Sequence, residues 1–161
     1  MAVKISTGLA QKLMSRAAGS VAGAGFSDIF ANGVLRLFGG TRPTDADSDE
    51  SGNTLLLEIT LQAGSFTPGS PTNGLNFKDD AVAGTISKVD SETWEGLGLA
   101  DGTATWYRFY ANDMATGSST TAVRFDGDVG TSADLNMVNT GIVNGASTVI
   151  SSFSMTLPLA P

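Results

Sequence analysis

The chain has 161 residues, 41% of them apolar and only 16% charged, which is enough for one domain with a true core and a surface filled by Ser, Thr, Asn and Gly. A net charge of −7 with no basic block argues against nucleic acid as a partner. The lack of any Cys or His excludes disulfides, thiolate and imidazole metal sites and His-dependent triads. No apolar run approaches the roughly 18 residues of a membrane span, and the N-terminal run lacks the apolar stretch of a secretion signal. The expectation is a soluble chain made in a cytoplasm, with no membrane contact.

In chain order, residues 6–16 (STGLAQKLMSR) read as a short helix. Ser6 or Thr7 caps it, and Leu9, Leu13 and Met14 form its apolar side. The following AAGSVAGAG reads as a flexible connector. SDIFANG (27–33) reads as one helical turn opened by Ser27 or Asp28 and closed by Asn32-Gly33. The period then changes to alternation, in VLRLF (34–38) and in TLLLEITLQ (54–62) with Leu55, Leu57, Ile59 and Leu61 on one face. AVAGTISKVD (81–90), the aromatic TATWYRFY (103–110), TAVRFD (121–126) and TVISSFSMTLPL (148–159) read as further strands, with 103–110 central in a sheet. Turns rich in Gly, Pro, Asn and Asp separate them. The expected fold is mainly β: one antiparallel β-sandwich or jelly-roll-like domain over 27–161, preceded by an N-terminal arm over 1–26.

Three groups of residues invite a chemical reading. Asp45, Asp47 and Asp49 imitate the start of an EF-hand loop, but Glu50 and Leu56 stand where that loop has its Gly and its bidentate Glu. DGDVGTSADLN (126–136) offers Asp126, Asp128 and Asp134 as oxygen ligands, yet no cation lies within it to hold phosphate. It reads as a turn between strands. Asp79, Asp80, Asp90, Glu92 and Glu95 include no pair that sequence can place across a cleft for glycoside hydrolysis. The expectation is therefore no catalytic residue, no cofactor and no metal. Among the aromatics, Trp106, Tyr107 and Tyr110 read as core, whereas Trp94 in the polar SETWEG stretch reads as an exposed contact residue.

The order of the segments is more specific than any single site. STGLAQKLM, ANGVLRLFGGTRPTDAD, TLLLEITL, DGTATWYRFY, VRFDGDVGTSADLNM and VISSFSMTLP follow one another as in a widespread group of small tailed-bacteriophage and prophage virion proteins, which the chain resembles over nearly its whole length. One departure is the Gly usual between Ser132 and Ala133, which is missing here. The resemblance implies a β-sandwich-like virion structural protein, with no enzymatic activity and no mapped catalytic residue. The leading expectation is a capsid decoration or cement protein that binds the major capsid protein or other virion proteins, as a homo-oligomer or lattice-bound subunit. The alternatives are a tail, head–tail junction or baseplate part, or a receptor- or glycan-binding module resting on Trp94. Leu9, Leu13 and Met14 are the expected partner anchors of the arm. Deleting residues 1–25 is expected to leave a folded β-domain that no longer enters particles.

Overall fold

β-branched and aromatic side chains that alternate with polar ones satisfy a pleated sheet whose two faces differ. A computed structural model describes residues 3–8 and 25–156. Its elements are β1 (Lys4–Ile5), α1 (Phe26–Ile29), β2 (Val34–Gly39), β3 (Thr54–Leu61), β4 (Thr85–Ser87), β5 (Trp94–Leu97) and β6 (Gly102–Thr103). They continue as β7 (Trp106–Tyr110), β8 (Arg124–Gly130), β9 (Leu135–Asn136), β10 (Gly141–Ile142), β11 (Ser147–Ile150) and β12 (Ser154–Thr156). The domain is mainly β and sandwich-like. Its main sheet runs β1-β8-β7-β2-β3-β5-β11, antiparallel at each step, and β9 adds in parallel to the far end of β8. The β6/β10 and β4/β12 ribbons complete it.

One face of this sheet is apolar. Leu35 of β2 faces Ile59 of β3 and Phe109 of β7, and Phe109 faces Phe125 of β8, whose ring stacks on it at 5.4 Å. Phe30 stands edge-on to both rings, and Phe77, Trp94 and Phe153 complete the cluster around Phe109. Aromatic pairs in these offset and edge geometries each add about 0.5–1.5 kcal/mol to what area burial supplies. α1 brings Phe26 and Phe30 onto this face. Asp28 accepts from the Gly25 N–H at 2.9 Å to open the turn, and Asn32 ends it in the left-handed region at φ 58°.

The structure departs from the sequence reading in several places. DGDVG is not a turn: Asp126 to Gly130 continue β8, paired with β7 in the main sheet, and the bend is confined to the residues after Gly130. The alternation of β3 breaks at a register shift opposite Leu37 and Phe38, so Leu56 is buried and Leu55 only half-buried. The described part of the run 148–159, up to Thr156, forms two strands rather than one, with residues 151–153 between them and Met155 of β12 paired to Ile86 of β4. The division at residue 26 also shifts. Lys4 and Ile5 pair with Asp126 and Phe125, and Phe26 packs against Phe77 and Phe125 at 5.4 and 5.7 Å, so both ends of the supposed arm belong to the domain. Thr7 and Gly8 are helical, while the rest of the expected 6–16 helix lies outside the described residues.

Candidate functional site

The opposite face of the sheet carries charge. Strand register lines up Glu58, Arg36, Arg108, Asp126 and Lys4 across β3, β2, β7, β8 and β1. A residue on this face alternates with the apolar ones by pleat alone, so the sequence of each strand dictates the row. Arg108 and Asp126 are both fully buried and meet in a bidentate pair at 2.6 and 2.7 Å. Glu50 accepts a further Arg108 N–H at 2.8 Å and the Tyr110 hydroxyl at 3.1 Å. Burial works against the charge on Arg108, yet the hydrogen bond and charge of Asp126 raise its pKa above the ordinary guanidinium value. Burial likewise pushes the Tyr107 and Tyr110 phenols well above theirs.

Loops cover the charged face. Arg124, also fully buried, donates to the carbonyls of Ala46, Asp47, Ala115 and Gly117 and so ties together the segments before β3 and before β8. Arg42 meets Asp128 at 3.2 Å, and Asp134 accepts from the Asp128 N–H at 2.9 Å. The DGDVGTSADLN carboxylates are thus dispersed: one pairs with Arg108, one faces Arg42 and one binds the Asp128 N–H within β8. Asp128 Oδ2 is buried without a protein partner. Asp45 and Asp49 accept from Ser48 and Ser51 in their own turns, and Asp47 accepts the Thr7 N–H at 2.8 Å together with its hydroxyl. Hydrogen bonding to Ser48 and Ser51 lowers the Asp45 and Asp49 pKa values. Among the described residues no three acidic groups converge as a metal site.

Trp94 requires a correction. It is fully buried at the start of β5, with its indole N–H donating to Glu92 at 2.8 Å and its ring against Phe77 and Phe153. The polar neighbours that made it look exposed include the carboxylate that satisfies it. Trp94 is therefore not the exposed contact residue that its polar neighbours suggested. Glu92 also holds Asn76 through two hydrogen bonds, and Glu95 holds Ser147, so neither is a free acid facing a cleft. Trp106, Tyr107 and Tyr110 are core, as read from sequence. Leu9, Leu13 and Met14 lie outside the described residues.

The surface feature that sequence reasoning missed lies at the far edge of the sheet. A groove of about 610 Å³ runs beside β11, lined by residues 136–139, 141, 143 and 146–152. Val138, Val143 and Val149 project into it largely exposed, and Leu97 is exposed on the neighbouring β5. No charged side chain follows Asp134 in the sequence, so the whole lining is uncharged. That signal was available in the sequence as a charge-free tail. Comparison with protein-family models, curated proteins and solved structures found no match.

Proposed function

We propose that the chain is a non-enzymatic virion structural protein of a tailed bacteriophage or prophage, acting as a capsid decoration or cement subunit through protein–protein contacts. The observation that carries this reading is where the resembling segments fall. NGVLRLFGG, TATWYRFY and VRFDGDVG are β2, β7 and β8, three adjacent strands of the main sheet, and TRP supplies the Arg42 that meets Asp128. The pattern that resembles phage proteins is thus the set of residues that specifies the fold. That the resemblance falls on sheet-forming residues supports a structural role. The chain's charged groups are largely spent on internal pairs and loop anchoring, which suits a building part.

The test is the copy number of the protein in purified particles, measured by quantitative mass spectrometry against the major capsid protein. Hundreds of copies, with gold label on the head, is the expected result. A dozen or fewer copies, with label on the tail or neck, would move the assignment to a junction or baseplate part. Absence from particles would overturn the virion reading altogether.

A further inference from the structure

The two outer edges of the main sheet are treated differently. At one end the edge strand beyond β8 is β1, two residues long and carrying Lys4, with β9 beside Val129 and Gly130 of β8. At the other end β11 pairs only with β5 among the described residues. Open edges are ordinarily blunted by Lys, by Pro, by inward charges or by a covering segment. The β11 edge, STVI followed by Ser151-Ser152, carries no Lys, Pro or inward charge, and the uncharged groove, lined also by residues of 136–143, runs beside it.

We propose that β11 is a self-association edge, at which a second copy of this chain adds its own β11 antiparallel and continues the sheet across a two-fold axis. Two observations select a second copy over another occupant. The tail after Asp134 carries no charged side chain, so two copies at −7 repel each other least where that tail forms the surface. The carboxylates that reach this region are already bound, Glu95 to Ser147 at 2.6 Å and Asp101 to the Asn144 N–H at 2.9 Å, so a basic partner finds little to pair with. An antiparallel strand edge is self-complementary by symmetry, as an isologous contact requires. The exposed Val149 and Leu97 then supply apolar area on one face of the joined ribbon. This inference does not depend on the virion assignment.

The ladder geometry provides a selective test. The Gly98 N–H donates to the Ala146 carbonyl at 2.9 Å, and alternation from that bond turns the Thr148 and Ile150 N–H groups toward β5 and those of Ser147 and Val149 outward. Val149→Pro therefore removes a donor from the open edge and leaves the β5 ladder intact. Sedimentation equilibrium of the full chain is expected to show an average mass rising with concentration toward twice 16.4 kDa. Val149→Pro and Val149→Lys should stay monomeric over the same range, with circular dichroism unchanged. A wild-type chain that stays monomeric to its solubility limit would overturn the proposal. So would a folded Val149→Pro or Val149→Lys variant that dimerises as the wild type does.

Discussion

At the scale of single residues, the Arg108–Asp126 pair decides more than any aspartate in a loop. Asp126→Asn keeps the size of the side chain but turns one carboxylate oxygen into a donor facing a guanidinium donor, with both groups fully buried. Removing one partner of a buried pair leaves the other charge uncompensated, at about 3–5 kcal/mol. The urea midpoint of Asp126→Asn should fall accordingly. Lys78→Met breaks a pair of comparable length, 2.7 Å to Asp90, but an exposed one. Its effect should stay under about 1 kcal/mol. Equal losses in the two variants would show that the charged row is not an anchor. Gly127, directly opposite Tyr107, belongs to the same argument: a Cβ there would meet the Tyr107 ring at 2.5 Å, so glycine serves close packing in this strand.

At the scale of elements, β1 works less as an arm than as a clamp. Ser6 Oγ donates to the Ala122 carbonyl at 2.7 Å, Thr7 holds Asp47, and Lys4 Nζ donates to the Thr44 carbonyl at 2.7 Å. Removing residues 1–8 should leave the aromatic core folded and cost on the order of 2–4 kcal/mol, at roughly 1 kcal/mol per net hydrogen bond. Hydrogen exchange should quicken in 43–50 and along β8. Unchanged protection there would show that β1 holds nothing. A deletion of 1–25 therefore strips a strand from the sheet as well as testing the anchors Leu9, Leu13 and Met14. The central strands were legible because their apolar period is local: VLRLF and WYRFY announce themselves. RFDGDVG was not, because Asp and Gly favour turns by propensity, and only the opposing Arg108 and Tyr107 make them strand residues. The alternation of Arg124, Asp126 and Asp128 against Phe125, Gly127 and Val129 was the available signal. Trp94 misled for a related reason, since its polar neighbour Glu92 lies in sequence where an exposed loop would place it and in space where it binds the indole.

At the scale of the whole molecule, charge and apolar surface are segregated along the chain, and the segregation fixes the sign of a salt effect. Copies that meet at the uncharged β11 edge gain no Coulomb attraction there, while their remaining −7 charges repel through solvent. The Debye length shrinks from about 30 Å at 0.01 M to about 10 Å at 0.1 M ionic strength, so added NaCl removes this repulsion and spares the contact itself. Self-association should therefore strengthen as NaCl rises from low to physiological concentration, and the change should vanish in Val149→Pro because that variant has no contact to reveal. An association built on ion pairs, with the acidic loops of one copy against Lys or Arg of another, would respond in the opposite direction. Sedimentation across a salt series separates the two: a dissociation constant that falls with NaCl fits the neutral edge, and one that rises requires a charged interface elsewhere on the molecule.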